Sequence, residues 1–160
     1  MDKQFYAGGF LYNPHSKRVL LHKRDEKTDT NKNTWAFFGG LSKKGETPVQ
    51  TFQREVKEEL SVRFPLSKIK PLYDYFNPDF NVHRYVFYVP SSYLKSTLKL
   101  REGKGFEWTP LPNAFKFSLS KRTRQDLTFF QREINATKAK SNLAKAKSDL
   151  KKANRRATAK

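Results

Sequence analysis

The sequence contains no cysteine among its 160 residues. This absence excludes disulfide bonds, thiol nucleophiles and cysteine-bound zinc. No apolar run approaches the roughly 20 residues that a membrane span needs. The first five residues, MDKQF, lack the charged start and apolar run of a signal peptide. We therefore expect a cytoplasmic protein without a membrane association.

Acidic residues are scarce relative to basic ones. The chain has 33 Lys and Arg against 15 Asp and Glu, which gives a formal net charge of +18. Such a chain should attract polyanions, which include nucleic acid, anionic lipid and phosphorylated small molecules. Aromatic residues make up 14% of the chain, enough to build the core of a single domain.

The last 30 residues differ from the rest in composition. Residues 131–160 lack Gly, Pro and aromatic residues, and they carry ten Lys and Arg against two Asp and Glu. We predict a domain over residues 1–130 and a basic, Ala- and Lys-rich tail over residues 131–160. The tail has one helical stripe, spaced 4, 3, 4, 3, 4: Ala139, Leu143, Ala146, Leu150, Ala153 and Ala157.

Because this stripe is narrow and mostly Ala, a solvated helix or a disordered tail is the simplest interpretation. Two alternatives stay open. Clustered Lys and Arg favour a non-specific nucleic-acid contact through residues 136–160, and the stripe itself is compatible with helical self-association.

Hydrophobic periodicity and turn residues predict an α/β (α+β) fold with strands on either side of a central helix. The predicted helix covers residues 48–60, with Thr47 as N-cap and Pro48 in the first turn. A last helix begins near residue 120 and continues to residue 130 or into the tail. The predicted strands are residues 5–12, 19–21, 35–38 (ended by Gly39-Gly40), 72–76, 82–89 and 106–109.

Three glutamates lie on one face of the predicted central helix. Glu55, Glu58 and Glu59 are spaced i, i+3 and i+4, whereas the apolar stripe of this helix faces elsewhere. One interpretation is a solvated acidic face that is balanced by neighbouring Lys and Arg. The other is a magnesium site, because hard divalent cations prefer carboxylate oxygens and bridge protein to substrate phosphates. A metal-assisted attack of water on a phosphoanhydride would follow from it.

The segment from Gly40 to Val62, GLSKKGETPVQTFQREVKEELSV, resembles the box of the Nudix hydrolases. That box reads G-x5-E-x7-R-E-U-x-E-E-x-G-U, with U aliphatic, and eight of its nine specified positions are present. The exception is Ser61, which stands where the family usually has the Gly that ends the helix in a left-handed turn. The resemblance implies a Nudix-type α/β/α sandwich, with a mixed β-sheet and a catalytic helix after a Gly-Gly loop.

The resemblance also implies roles for individual residues. Glu55, Glu58 and Glu59 would be catalytic and would bind Mg²⁺, for which Mn²⁺ is a substitute. The Gly39 carbonyl and Glu102 would be further metal ligands, and Glu107 is the nearest competitor of Glu102. Arg54 would hold the helix carboxylates in place together with Glu46. Arg24 and Gly40 would contact the substrate.

Small size and the Glu102-Gly103 … Glu107-Trp108 pattern look like MutT-type members, which convert a nucleoside triphosphate to a monophosphate and pyrophosphate. Pro78, 16 residues after Val62, instead suggests the ADP-ribose or nucleotide-sugar members. An alternative of another class is a nucleic-acid-associated module, or an RNA 5′-end hydrolase that uses the tail. Structural roles are the default for the three histidines and for three aromatics that could stack a base, namely His15, His22, His83, Tyr75, Phe76 and Tyr85. The polar segment of residues 25–33 is a predicted loop, and for Asp25, Glu26 and Asp29 a solvated loop is favoured over a loop that covers the site.

Overall fold

A computed structural model describes residues 3–93 and 95–159 of the chain. The chain divides into two compact units, of which the first ends at Arg124 and the second begins at Gln125. Within the described residues, no helix has both the length and the apolar character that crossing a membrane requires.

A mixed seven-stranded sheet forms the centre of the first unit. Its strands are β1 (Tyr6–Asn13), β2 (Arg18–Lys23), β3 (Trp35–Ala36), β4 (Phe38–Leu41), β5 (Lys70–Asn77), β6 (Val82–Pro90) and β7 (Gly105–Pro110). The main path of the sheet runs in the order β3-β2-β1-β6-β5, while β4 pairs with β1 and β7 pairs with β2. These strands and the helices confirm the predicted α/β class.

Local turn chemistry explains the hairpin of β1 and β2. The Asn13 side-chain oxygen accepts hydrogen bonds from the backbone N–H groups of His15 and Ser16, at 2.9 and 3.0 Å. Asn side chains stabilise turns in this way. Lys17 takes a positive φ of 58°, which completes the reversal. The pairing of β1 with β6 is parallel, from Tyr6 opposite Arg84 to Tyr12 opposite Pro90, and it joins the β1–β2 hairpin to the β5–β6 pair.

Helix α1 spans Pro48–Leu60, as predicted. Thr47 caps it by accepting a hydrogen bond from the Gln50 backbone N–H, and the Gln50 side chain bonds back to the Thr47 backbone, which forms a capping box. At the other end Ser61 adopts the left-handed conformation, with φ 59°. The Ser in the box therefore keeps the helix ending that Gly normally provides.

The apolar stripe of α1 packs into the main core. Phe52, Val56 and Leu60 are buried together with Leu11 and Phe87. The Phe52 and Phe87 rings stack at a centroid distance of 5.5 Å. This packing fixes the rotation of α1 about its axis, so the positions of its glutamates follow from the apolar residues between them.

The prediction that the strand after Trp35 stops at Gly39-Gly40 is wrong. Strand β4 runs through both glycines to Leu41, antiparallel to β1. A side chain at Gly39 would lie 2.4 Å from the Gly8 Cα and 2.5 Å from the Ala7 carbonyl oxygen, and its φ is +149°. Glycine is therefore needed there for close approach of two backbones rather than to end a strand.

Two further helices follow β7, namely the short α2 (Leu111–Ala114) and the long α3 (Lys121–Thr158). Helix α3 begins in the first unit and continues through the second. All described residues from 135 to 159 are exposed.

Candidate active site

Arg54 on α1 connects the residues of the box. Its guanidinium donates from Nε to Glu46 Oε1 at 2.7 Å and from Nη2 to Glu46 Oε2 at 3.1 Å. Nη1 donates to Glu55 and, at 3.2 Å, to Glu58 Oε2, and Nη2 also reaches the Leu41 carbonyl at 3.0 Å. The planar guanidinium can satisfy several oxygens in fixed directions. Arg54 thus joins the loop before α1 to two glutamates of the helix.

The charges of this network explain the pKa values of its members. The hydrogen bonds from Arg54 lower the pKa of Glu46 to about 2, and the glutamates in turn raise the pKa of Arg54. Burial raises the pKa of Glu55, and Arg54 opposes that increase. The Glu46–Arg54 pair therefore stays ionised over the whole physiological pH range.

The carboxylate of Glu55 lies against the backbone of Gly40. A Cβ atom at Gly40 would lie 2.5 to 2.8 Å from the Glu55 carboxyl group. Any side chain at position 40 would displace that carboxylate, so the second glycine of the Gly-Gly pair provides space for Glu55.

Glu59 points into the interior. Its side chain is almost fully buried, at 3% exposure, and Oε1 accepts a hydrogen bond from the Gly39 backbone N–H at 3.0 Å. Its other oxygen, Oε2, has no hydrogen-bond partner among the described residues and lies 3.7 Å from His22 Nδ1. A buried carboxylate oxygen without a partner is costly. Protonation of Glu59, an ordered water or a bound cation would each relieve that cost.

Burial is the largest cause of the pKa changes of Glu59 and His22. It raises the pKa of Glu59 to about 8; the charges of Glu55 and Glu102 add to the increase, while the Gly39 N–H opposes it. For His22, burial and then the charge of Arg24 lower the pKa to about 4. At neutral pH His22 is therefore uncharged and offers Glu59 no positive partner.

The other predicted glutamates, Glu58, Glu102 and Glu107, differ in their exposure and in their partners. Glu58 is half exposed and contacts Arg54 and Lys43. Glu102 is exposed, and its charge acts on both Glu55 and Glu59. Glu107 instead forms an ion pair with Lys95 at 2.7 Å.

The donor set suits a hard divalent cation in its chemistry. Glu55 and Glu59, whose pKa values are raised by burial and further by the charges of neighbouring glutamates, are groups whose ionised form such an ion would stabilise, and Glu59 Oε2 lacks a partner among the described residues. Their arrangement is not that of a formed cage: in residues 3–93 and 95–159, no three His, Asp or Glu side chains are placed to hold an ion together. Glu55 and Glu58 are held by Arg54 instead.

A cleft of about 490 Å³ opens beside the box in the first unit. Gly39, Gly40 and Arg24 line it, which brings these predicted residues together. Arg84 and Arg122 line it as well. Among the described lining residues three arginines outnumber one acidic residue, Asp29, although Arg122 also forms an ion pair with Asp79 at 2.6 Å. The lining therefore has a net positive charge, which suits a phosphorylated ligand.

The aromatic residues of the cleft are not those weighed for base stacking. Tyr6, Phe37 and Phe80 line it. Tyr85 instead meets Phe5 edge-on, Tyr75 lies beside Tyr73, and Phe76 is exposed near Lys3. The Arg84 guanidinium sits 4.5 Å from the Tyr6 ring centroid, a distance typical of a cation–π contact.

Several of these residues gave no sequence signal. Arg84 is 7% exposed in β6, where it follows His83 in a strand that is otherwise rich in Val and aromatic residues. One charged residue in such a strand is a weak indicator of a site. Residues 29–31 line the cleft, although the sequence favours a solvated loop for this segment. The sequence favours a structural role for His22, whose Nδ1 lies 3.7 Å from Glu59 Oε2.

Comparison with known proteins gives a match to the NUDIX domain over residues 2–132. Among solved structures, a MutT/nudix family protein from Enterococcus faecalis is 24% identical with a TM-score of 0.56, and the match covers 68% of this chain and 44% of that one. The NUDIX domain of Shewanella oneidensis NrtR, complexed with ADP ribose, is 19% identical with a TM-score of 0.64, and the match covers 82% of this chain and 86% of that one. The E. coli dihydroneopterin triphosphate pyrophosphohydrolase is 20% identical with a TM-score of 0.60, and the match covers 77% of this chain and 91% of that one.

These structural likenesses are at low identity and establish the fold. The domain match covers most of the chain and includes every residue of the box. Nudix enzymes typically use divalent metals, in agreement with the chemistry of the carboxylates. The chain therefore belongs to the Nudix family and carries a Nudix hydrolase domain over residues 2–132.

Proposed function

We propose that the protein is a Mg²⁺-dependent pyrophosphohydrolase that converts a nucleoside triphosphate to a monophosphate and pyrophosphate. Water adds to a phosphorus atom of the anhydride, the bridging P–O bond breaks, pyrophosphate leaves, and the proton of the water is released to solvent. The observation that carries the proposal is the electropositive cleft that adjoins the box at Gly39 and Gly40.

Each predicted residue has a role in this proposal. Glu55, Glu58, Glu59, Glu102 and the Gly39 carbonyl would hold the metal, which supplies Lewis-acid activation of the phosphoanhydride and of water. Mn²⁺ should substitute, since it also prefers oxygen ligands.

The other box and cleft residues would position these groups. Arg54 would orient the helix glutamates, as its hydrogen bonds to Glu55 and Glu58 suggest. Arg24 would bind substrate phosphate, and Gly40 would let the substrate approach the backbone closely beside Glu55. His22, neutral and buried next to Glu59, would keep other charges away from that carboxylate.

The three cleft arginines favour a triphosphate, because charge on the ligand is greatest in a polyphosphate chain. ADP-ribose or a nucleotide sugar is the second candidate. One observation favours it: the turn of Asn77 to Phe80, which contains Pro78, contributes Asn77 and Phe80 to the cleft. The ADP-ribose complex of the NrtR domain shows that this fold accommodates such a ligand.

A nucleotide panel with Mg²⁺ separates the two candidates. Nucleoside and deoxynucleoside triphosphates, including oxidised ones, should give a monophosphate and pyrophosphate. ADP-ribose and nucleotide sugars should give little product. Release of a sugar phosphate at a higher kcat/KM would reject the triphosphate proposal, and activity that survives a chelator would reject the metal.

Single substitutions test the residues. Glu58→Gln and Glu59→Gln should each lower kcat by about 100-fold or more, with the fold intact by circular dichroism. Glu107→Gln is the matched control, because it removes the same charge from a residue that pairs with Lys95 outside the cleft. Near-normal turnover in both box variants would remove these assignments.

A further inference from the structure

From residue 138 to residue 156, α3 carries all of its basic residues on one half of its circumference, whereas Arg132, nearer the start of the second unit, lies on the other half. At 3.6 residues per turn they form two rows about 130° apart around the axis. Leu143 and Leu150, which are 57% and 63% exposed, lie on the opposite side. The first row is Lys140, Lys147, Lys151 and Arg155, and the second row is Lys138, Lys145, Lys152 and Arg156.

All eight of these side chains are exposed. From Lys138 to Arg156 the rows extend about 27 Å along the axis, at 1.5 Å per residue. The only acidic residue in this stretch is Asp149, which lies beside Lys145 and Lys152 of the second row. The first row is therefore the more strongly positive of the two.

We propose that this two-row face binds the phosphate backbones of duplex DNA without sequence preference. A helix with side chains is about 10–12 Å wide, which matches the roughly 12 Å major groove of B-form DNA. Rows on both flanks of one helix face can then reach the two strands that border the groove. Lys and Arg on phosphates provide affinity by releasing counterions.

The same observations disfavour other nucleic acids. The major groove of an RNA duplex is too narrow for a helix. Single strands are usually held by aromatic side chains that stack on bases, and residues 131–160 contain no aromatic residue.

Charge substitutions in the full-length chain test the proposal. The first-row variant replaces Lys140, Lys147, Lys151 and Arg155 with Gln, and the second-row variant does the same for the other row. Gln has a helix propensity close to that of Lys and Arg, so circular dichroism should be unchanged. The control variant replaces four exposed lysines of the first unit with Gln, namely Lys44, Lys68, Lys70 and Lys99. It removes four positive charges, as each row variant does.

Binding to a random-sequence DNA duplex of 20 base pairs is measured as a function of KCl concentration. The wild type should show a strong salt dependence, and the first-row variant should bind at least about tenfold more weakly at 50 mM KCl, with a slope of log K against log salt reduced by about 3. The second-row variant should lose less DNA affinity than the first-row variant, because Asp149 already offsets part of the charge of that row. The control should keep a near wild-type slope, and Asp149→Asn should bind more tightly.

Three results would overturn the proposal: absence of DNA binding at 50 mM KCl, an equal loss of affinity in the control, or tighter binding to single-stranded or duplex RNA than to duplex DNA. Nucleotide hydrolysis is measured on the same variants and should not change. A failure of the DNA result with normal hydrolysis would therefore leave the enzymatic proposal standing.

Discussion

The buried carboxyl group of Glu59 should make the metal-free protein lose stability as the pH rises. Its pKa is about 8 in the folded protein, against an ordinary value of 4.5. Because the folded-state pKa is raised, the stabilising contribution is complete below pH 4.5 and is lost as the pH increases to about 8. At 1.36 kcal/mol per pKa unit, the full loss is about 5 kcal/mol.

His22 titrates in the opposite direction. Its pKa is lowered from 6.5 to about 4, so its contribution is present above pH 6.5 and is lost as the pH falls to about 4. The effects of Glu59 and His22 on the free energy of unfolding have opposite pH dependence, and they cancel between about pH 4.5 and 6.5. Between pH 6.5 and 8 only Glu59 of this pair titrates, and it should lower the free energy of unfolding by about 2 kcal/mol there.

Urea unfolding with a chelator, at pH 6.5 and pH 8, measures this effect. Trp35 and Trp108 report on the first unit alone. The free energy of unfolding of Glu59→Gln relative to wild type should increase by about 2 kcal/mol between the two pH values. Glu107→Gln, which removes an exposed carboxylate, should show no such increase.

The same unfolding measurement is repeated with Mg²⁺ in place of the chelator. At pH 8 Mg²⁺ should stabilise the wild type more than Glu59→Gln, because the cation compensates a charge that the variant lacks. A difference between wild type and Glu59→Gln that does not change with pH, with or without Mg²⁺, would refute the burial argument.

Three further predictions concern stability and positioning. Arg54→Lys should lower kcat by up to about 100-fold, since one ammonium cannot replace the bidentate contact to Glu46 while also holding Glu55; unchanged kinetics would contradict this. Gly39→Ala should cost roughly 2 to 6 kcal/mol in urea unfolding, through overpacking against β1 and a strained φ, and a loss below 1 kcal/mol would show that β1 moves aside. Thr47→Ala should cost about 1 kcal/mol, and Thr47→Ser, which keeps the capping oxygen, should restore most of it.

The elements that sequence could predict are those with local causes. Helix α1 begins at Pro48 because Thr47 and Gln50 form a capping box within four residues, and its apolar spacing fixes the buried face. The i, i+3, i+4 spacing of Glu55, Glu58 and Glu59 on α1 is likewise local. The surroundings of these glutamates are not: Glu59 is buried against Gly39, whereas Glu58 is half exposed.

The features that sequence could not predict depend on pairing between distant segments. Strand β4 passes through two glycines because β1 lies against it, which overrides the weak strand propensity of glycine. Arg84 enters the cleft because β6 runs parallel to β1, next to Tyr6. His22 and Glu59 meet only after β2 and α1 have packed on the same core.

The Arg54 network has a consequence for how the enzyme would be switched on. In the chain alone, a guanidinium already neutralises the oxygens of Glu55 and Glu58. An incoming metal ion must therefore displace the Arg54 guanidinium from these oxygens. The apparent metal affinity is then set by competition between the metal ion and Arg54, and not by the carboxylates alone. Glu46, with its low pKa, keeps Arg54 anchored during that exchange.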